Sequence, residues 1–383
     1  MSTLVRLSAL TLTDFRNHEQ TTLALDGRHV VLSGPNGAGK TNLIEAVSLL
    51  SPGRGLRRAN LSDMARKGAD GFSVFAKLER DGDGYAVGTG TAGVTPTENG
   101  ARTRRVRING TNAASADELL DLARILWLTP AMDGLFTGPA ADRRRFTDRM
   151  VLAIDPGHGR RARDHEKAMR QRNRLLEAPP NAQNDLMLDA IEAQLAALGT
   201  AIVIARQELV SLLAALIAET PQGARFPMAD LSMAGELEAR LADGMAAGDL
   251  QAWLETDMRG KRGRDRAVGR TLTGPHRADL VVEHRQKAIA ASLCSTGEQK
   301  ALLIGLLLAH AALTASVSAM TPILLLDEVA AHLDPERRAE LFDRVHGIGG
   351  QAFMTGTDRN LFDALGDRAQ YLRVEDGTVT ADG

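Results

Sequence analysis

Short stretches in which apolar and polar residues alternate occupy the first third of the chain and predict β-strands. Two of them, over 4–12 and 21–25, flank a polar turn and predict a β-pair at the start of the chain. The other strand-like segments are 72–78, 85–89 and 104–108. The last of these ends in Asn109-Gly110, a strong signal for a tight turn.

The strand signals disappear between residues 155 and 220, where apolar residues recur at alternating spacings of three and four. The positions of this heptad seam are Leu188, Ile191, Leu195, Leu198, Ile202, Ala205, Leu209, Leu212 and Leu216. A polar helix predicted over 160–176 precedes the seam and ends at Pro179-Pro180, so the two helices can form an antiparallel hairpin. The pattern fits a short coiled-coil arm and two ordinary helices of a small lobe equally well.

The C-terminal third returns to mixed helices and strands. The predicted elements are weak helices over 237–241 and 250–258, a basic loop over 259–266, a helix over 299–314, and strands at 323–326 and 353–354. The apolar run 301–320 is long enough to suggest a membrane span. Because His310 and several Ser and Thr residues interrupt it, a buried helix is the better interpretation.

These patterns predict an α/β protein with a mixed sheet and an inserted, short coiled-coil-like helical lobe. We expect residues 1–150 to form the N-terminal part of the head, 151–260 the lobe and 261–383 the C-terminal part of the head. A total of 383 residues is long enough for this arrangement.

Composition narrows the class of protein only a little. Hydrophobic residues at 44% and charged residues at 25% describe a globular protein with a sizeable core. Aromatic residues make up only 3%, which argues against recognition of splayed-out single-stranded bases. The net charge of −2 neither requires nor excludes nucleic acid. The single cysteine, Cys294, and the absence of a signal-peptide pattern predict a cytoplasmic protein.

A glycine-rich loop carries the first chemical signal. Its residues are Gly34, Pro35, Asn36, Gly37, Ala38, Gly39, Lys40 and Thr41, with Asn42 directly after them. An apolar run at 30–32 leads in and a helical pattern over 42–50 leads out, so main-chain N–H groups and a helix N-terminus can surround a polyphosphate. We expect Lys40 to reach the β- and γ-phosphates of a nucleoside triphosphate and the Thr41 hydroxyl to hold Mg²⁺.

Two adjacent carboxylates, Asp327 and Glu328, follow the purely aliphatic strand predicted over 323–326. We expect Asp327 to support the Mg²⁺ ion. Glu328 is the candidate to orient or polarise the attacking water, and with Lys40 these carboxylates form the predicted catalytic set.

A third motif consists of Ser295, Thr296, Gly297 and Glu298 at the start of an apolar helix, where anionic oxygen is favoured. Together with the loop before it and the carboxylates after it, this segment resembles the signature motif of the ABC-type ATPases. The resemblance implies that the signature of one copy contacts the γ-phosphate held by the loop of another. It therefore implies a homodimer that forms with ATP and Mg²⁺ and separates after hydrolysis.

Several further segments resemble the RecF family of SMC-like ATPases. They are Thr13-Asp14-Phe15-Arg16-Asn17, Gly53-Arg54-Gly55-Leu56-Arg57, Asp142-Arg143-Arg144-Arg145-Phe146, Gln171-Arg172-Asn173, Gly274-Pro275-His276-Arg277 and Ser295-Thr296-Gly297-Glu298-Gln299. The resemblance implies a weak ATPase of recombinational repair that binds gapped DNA or single-strand/double-strand junctions. It implies RecO and RecR as partners, RecA as the protein that they assist, and no membrane partner. A Q-loop glutamine and a switch histidine after Phe353 have no clear counterparts, which is compatible with slow turnover.

Three arginine clusters are candidates for contact with DNA phosphates. They are Arg54, Arg57 and Arg58; Arg143, Arg144 and Arg145; and Arg262 and Arg264, with Arg259, Lys261 and Arg266 beside them. Each cluster also fits a solvated charged face or internal ion pairs.

Two other functions are compatible with the ATPase motifs. A tether that joins two heads through the arm needs a longer seam, because four heptads span only roughly 40 Å. A transport ATPase would need a membrane-coupling segment, and the chain has the Gly274-Pro275-His276-Arg277 block instead.

Overall fold

The computed structural model describes residues 2–94, 102–179, 181–220 and 223–382. The chain divides into two compact units. Unit 1 consists of Met1–Asp133, Gln222–Phe226 and Thr296–Gly383, and unit 2 consists of Gly134–Pro221 and Pro227–Ser295. Unit 2 is therefore inserted into the sequence of unit 1.

The strands and helices of the described residues are numbered in chain order. The strands are β1 (Val5–Phe15), β2 (His18–Ala24), β3 (His29–Ser33), β4 (Ser73–Arg80), β5 (Asp83–Gly90), β6 (Arg105–Ile108), β7 (Thr111–Asn112), β8 (Ile125–Leu128), β9 (Ala229–Ala234), β10 (Asp279–His284), β11 (Ile289–Ala290), β12 (Ile323–Leu326), β13 (Ala352–Gly356), β14 (Ala369–Glu375) and β15 (Thr378–Ala381). The α-helices are α1 (Lys40–Ser48), α2 (Leu61–Met64), α3 (Ala140–Ile154), α4 (His158–Glu177), α5 (Ala182–Ala218), α6 (Glu236–Ala242), α7 (Ala247–Gly260), α8 (Arg262–Val268), α9 (Thr296–Ser318) and α10 (Pro335–Ile348).

The first sheet of unit 1 has the strand order β15-β14-β3-β13-β12-β8. All neighbours except β14 and β15 are parallel. Every residue of β3, β8, β12 and β13 is buried, as expected for parallel strands that are covered on both faces. This explains why these strands read as continuous apolar runs and show no alternation.

The second sheet of unit 1 is antiparallel, in the order β2-β1-β4-β5-β6-β7. It confirms the strands predicted from alternation in the first third of the chain. Asn109 and Gly110 have φ of 50° and 83°, the left-handed conformation that a two-residue hairpin turn requires. The side chains of one face join those of the parallel sheet and of α1 in one hydrophobic core.

Unit 2 contains the predicted helical hairpin, formed by α4 and α5. Helix α5 also contacts α7 and β9, and β9 belongs to a small sheet of order β11-β10-β9. The hairpin is thus packed within a lobe. Helix α4 ends before Pro179, and Pro180 lies outside the described residues.

The heptad seam holds for most of α5 and fails near its C-terminus. Leu195 and Leu209 are buried as predicted, but Leu212 is 37% exposed, and Leu213 and Ile217 are buried instead. A straight helix has 3.6 residues per turn, so its buried face drifts by about 20° per heptad. After three heptads the buried face has moved by one residue.

Other predictions need correction. The lobe predicted over 151–260 corresponds to a unit that begins at Gly134 and ends at Ser295, because α3 packs on α5 and β10, and β10 pairs with β9. The basic loop predicted over 259–266 contains α8. The sequence showed no clear signal for β8 or β14.

Two helices, α5 and α9, are long and apolar enough to cross a membrane by length and composition. In the most apolar window of α9, 72% of the residues are buried inside the protein. The prediction of a buried helix at 301–320 is therefore confirmed.

Candidate nucleotide site

Three neighbouring parallel strands of unit 1 end at one edge of the sheet. The glycine-rich loop follows β3, Thr355 lies near the end of the adjacent strand β13, and Asp327 follows β12. Because parallel strands direct their carboxyl ends to the same edge, ligands of such sheets bind there. The fold thus brings the glycine-rich loop and the Asp327-Glu328 pair together, although they are far apart in the sequence.

The glycines of the loop adopt conformations that other residues rarely adopt. Gly34, Gly37 and Gly39 have φ of 144°, 83° and 110°. A Cβ atom at Gly34 would collide with the carbonyl oxygen of Val374, whereas a Cβ at Gly37 would have no atom within 4 Å. Gly34 is therefore required by packing, and the space at Gly37 is open to a ligand.

Lys40 is buried at the start of α1 and faces into the loop. Its Nζ donates to the carbonyl oxygens of Gly34 and Pro35 at 2.7 and 2.8 Å. Burial lowers the pKa of Lys40, while the charges of Glu328 and Asp327 raise it. The ammonium group is thus held beside the carboxylates by a loop whose carbonyls can release it to a phosphate.

Asp327 is the centre of the polar contacts at the strand ends. Its Oδ1 accepts hydrogen bonds from the hydroxyls of Thr41 at 3.0 Å and Thr355 at 2.7 Å. Burial raises the pKa of Asp327 although these two hydrogen bonds lower it. A buried carboxylate beside a threonine hydroxyl fits the donor set that Mg²⁺ takes with nucleotide phosphates.

No group of three or more His, Cys, Asp or Glu side chains in the described ranges could hold a metal ion by itself. Mg²⁺ in nucleotide sites needs only one or two protein ligands, because phosphate oxygens and water complete its coordination. The Thr41 hydroxyl beside the Asp327 carboxylate is a donor set of this kind and fits a Mg²⁺-nucleotide complex.

Glu328 has a main-chain conformation that is rare for its residue type. Its φ is 51°, and its N–H donates to the Thr355 hydroxyl at 2.9 Å. Such left-handed residues outside glycine cost free energy and cluster at functional sites. Thr355 therefore positions both carboxylates, a role that the sequence did not reveal; the available signal was a polar residue at the tip of an apolar strand.

Asn17 was noted in the sequence only as part of a family segment, and it supports the loop from outside. It donates to the carbonyl of Ala38 at 3.3 Å and accepts from Asn42 at 2.6 Å. Arg57 in turn donates to Asn42 at 2.6 Å and to the fully buried Glu45 at 2.9 Å. Arg57, a candidate for DNA contact, is thus attached to the nucleotide helix α1.

The predicted signature segment lies at the N-terminus of α9. Ser295, Thr296 and Gly297 are exposed, and Glu298 is half-buried. A Cβ atom at Gly297 would have no neighbour within 4 Å, so packing within the chain does not require a glycine there. Cys294, directly before this segment, is buried.

Three of the arginine candidates in unit 2, Arg143, Arg144 and Arg262, have partners inside their own unit. Arg143 donates to both carboxylate oxygens of Asp279 at 2.8 Å, and Arg144 donates to a main-chain carbonyl at 2.8 Å. Arg262 binds Glu192. A DNA phosphate would have to replace these partners, because the donors are already engaged. In unit 1 and on α8, Arg54, Arg58 and Arg264 are exposed.

The Gln171-Arg172-Asn173 segment is structural. Arg172 is 0% exposed and donates to Glu192 at 2.9 Å and to Asp265 at 2.6 Å. Asn173 accepts from the main-chain N–H of Thr271 at 2.9 Å. The segment therefore joins α4 to α5, α8 and the following loop.

The fold and site are those of a P-loop ATPase head of the ABC type. The glycine-rich loop follows β3 of the parallel sheet, the Asp327 carboxylate follows β12, and the signature segment lies at the start of α9. The sequence model described as the RecF/RecN/SMC N terminal domain matches residues 6–380. The chain belongs to the RecF family, since relatives named DNA replication and repair protein RecF match it over nearly its whole length.

The relative from Allorhizobium ampelinum is 58% identical over 375 residues, covering 98% of both chains. The relative from Agrobacterium fabrum is 56% identical and covers 100% of both. Among solved structures, one described as the recombination mediator protein RecF with ATP in the RecFOR pathway has a TM-score of 0.86 at 21% identity, covering 100% of this chain and 99% of that one. An Smc head domain from Pyrococcus furiosus has a TM-score of 0.54 at 15% identity. These structures share the fold.

Proposed function

We propose that this chain is an ATP-dependent DNA-binding protein of recombinational repair that acts as a homodimer. The observation that carries the proposal is the contact of the Thr41 hydroxyl with the Asp327 carboxylate at 3.0 Å, beside a loop open at Gly37. Burying the Asp327 carboxylate costs free energy unless a bound cation compensates its charge. The relatives' names supply the repair context.

In this proposal each side chain has a separate task at the nucleotide. Thr41 and Asp327 hold Mg²⁺, which when bound supplies positive charge to the phosphate oxygens. Lys40 exchanges its loop carbonyls for the β- and γ-phosphates. Glu328 orients the attacking water. The strained main chain of Glu328 fits a group that must be held in one position.

The signature segment completes the site of a second copy. Each chain has one loop and one signature, so two copies form two shared sites. The exposed segment around Gly297 leaves room for a phosphate of the partner's nucleotide. Hydrolysis removes the contact to the γ-phosphate, and the dimer then separates and releases DNA. Slow ATP hydrolysis would then set how long the dimer stays on DNA.

The DNA that this dimer binds is gapped or contains a junction between single and double strands, without sequence readout. RecO and RecR act with it, and together they assist RecA loading and replication restart in the cytoplasm. Two findings support this proposal. The relatives are named RecF, and a solved structure with the same fold is described as RecF in the RecFOR pathway.

Size-exclusion chromatography with and without ATP tests the proposal, and gapped DNA is added in a second series. Wild-type protein should elute as a dimer only with ATP and should then bind DNA. Replacing Lys40 by Met should lower the affinity for ATP by at least about 100-fold, because a charge-assisted contact to phosphate is lost. A Lys40→Met protein that still dimerises with ATP would refute the shared site.

A further inference from the structure

The antiparallel sheet of unit 1 presents one of its two faces to solvent. Inward side chains such as Leu10, Val74 and Val106 are buried in the core. The outward residues of β2, β1, β4, β5 and β6 form the outer sheet face. In strand register its rows are Gln20, Thr13, Ser73, the buried Gly90 and Arg105; Thr22, Thr11, Phe75, Gly88 and Arg107; and Ala24, Ala9, Lys77 and Ala86.

The outer sheet face carries positive charge that the protein does not neutralise. Lys77, Arg105 and Arg107 are exposed, and within the described ranges none of them forms an ion pair. Arg107 donates to the neutral side chain of Asn112 at 3.0 Å. The carboxylate-bearing residue Glu79 lies in the next row after Lys77, where it pairs with Arg6 of β1 and Gly84 of β5.

Strand alternation separates the arginines of this segment. Arg104, just before β6, points inward and donates to the carbonyls of Ser51 at 3.1 Å and Gly53 at 2.8 Å. Burial lowers the pKa of Arg104 to about 10. Arg104 thus supports the loop after α1, whereas Arg105 and Arg107 contribute to the outer sheet face.

Gly88 lies opposite Arg107 in the sheet, and nothing in the fold requires a glycine there. Its φ is not positive, and an added Cβ would have no atom within 4 Å. A glycine in a strand interior weakens the strand and often marks a place where another backbone approaches closely. The space directly over Gly88, between Phe75 and Arg107 in the row, thus holds no atom within 4 Å of an added Cβ.

We propose that the outer sheet face binds the sugar-phosphate backbone of duplex DNA, an inference that rests on the proposed DNA-binding function. Arg105 and Arg107 are two residues apart on one strand, so their side chains leave the same face of the sheet about 6.8 Å apart and can contact phosphates of one DNA strand. The hydroxyls of Thr11, Thr13 and Ser73 are donors of the kind that contact phosphates. The face reads no sequence, because its polar groups meet only the backbone.

The first test removes the charge. The triple variant Lys77→Gln, Arg105→Gln and Arg107→Gln is compared with wild type for binding to a gapped duplex oligonucleotide with ATP at several salt concentrations. The slope of log affinity against log salt should become shallower by about 2–3, since each phosphate contact contributes about 0.9. A control with the same charge change is Arg170→Gln, Arg285→Gln and Arg373→Gln, whose side chains each bind a surface carboxylate; its slope should stay at the wild-type value.

The second test adds charge without crowding. Gly88→Glu places a carboxylate in open space beside Arg107 and should weaken DNA binding at least about tenfold through repulsion of phosphates. Gly84→Glu is the matched control, because Gly84 is in the same strand, is equally open and pairs with Glu79. ATP-induced dimerisation should be retained in all these variants, which shows that they fold.

The outcomes separate the two proposals. If wild-type protein binds DNA with ATP and the triple variant and Gly88→Glu bind it with unchanged affinity and slope, the outer sheet face is not the DNA site and the proposed function stands. If wild-type protein dimerises with ATP but does not bind DNA, the proposed function fails and this inference fails with it.

Discussion

Two clusters of buried charge, one in each compact unit, differ in the groups that face the buried charge. In unit 2 the guanidinium of Arg172 is enclosed by the carboxylates of Glu192 and Asp265. In unit 1 the Asp327 carboxylate is also buried, but its hydrogen-bond partners are neutral hydroxyls and its pKa is raised by burial. A buried charge enclosed by opposite charges maintains the fold, whereas a buried carboxylate that is hydrogen-bonded only to neutral hydroxyls indicates a place for a cation.

The largest effect is expected from Arg172→Met, which removes the centre of the ion network in unit 2. Glu192 and Asp265 would stay buried with less compensation, so the free energy of unfolding should fall by about 3–5 kcal/mol. Denaturant unfolding measures the loss. ATP affinity of the folded protein should not change, because the network belongs to unit 2. Unchanged stability would contradict the structural role of the network.

Glu328→Gln should act on turnover and leave stability nearly unchanged. The amide has the same size but cannot polarise water, so ATP hydrolysis should slow about 100-fold or more. Phosphate release measures the rate, and ATP-bound dimers should accumulate on a sizing column. Glu336→Gln, in an exposed ion pair with Arg225, is the control. Undiminished turnover in Glu328→Gln would exclude the assigned role.

Asp148 in unit 2 links stability to pH. Burial raises its pKa, but His158 and Arg206 outweigh this effect and lower the pKa to about 2. The ion pair therefore contributes about 2 kcal/mol above the unfolded pKa of 3.8, and this contribution is lost as the pH falls through 2. Asp148→Asn should lower the thermal midpoint at pH 7, and the difference from wild type should shrink below pH 4. A difference independent of pH would contradict the ionic origin.

Asp327→Asn should have the smallest effect on stability and the opposite sign. The folded pKa of Asp327 lies above the unfolded value of 3.8, so its charge destabilises the fold above that pH and has no effect well below it. The amide oxygen can still accept from Thr41 and Thr355. We expect a gain of about 1 kcal/mol at pH 7 together with loss of ATPase activity. A loss of stability would show that the carboxylate contributes to the fold.

The sequence predicted the strand–loop–helix around Gly34–Thr41, the carboxylates after 323–326 and the helical hairpin, because each depends on residues close together in the chain. Strand β8 was missed because a four-residue apolar run has no periodicity of its own; the equally short β12 was recognised because Asp327 and Glu328 follow it. The last turns of α5 were misjudged because a strict heptad ignores the drift of a straight helix.

The sequence by itself determined which chemical groups the protein has and in which order. Only the tertiary structure decided which of them meet. Asp327 follows Thr41 by 286 positions, yet their side chains are in contact, because neighbouring parallel strands align their carboxyl ends regardless of sequence distance. In the same way, strand register separated the inward Arg104 from the outward Arg105 and Arg107. In unit 2, folding paired Arg143 and Arg262 with carboxylates, a result that no local pattern contains.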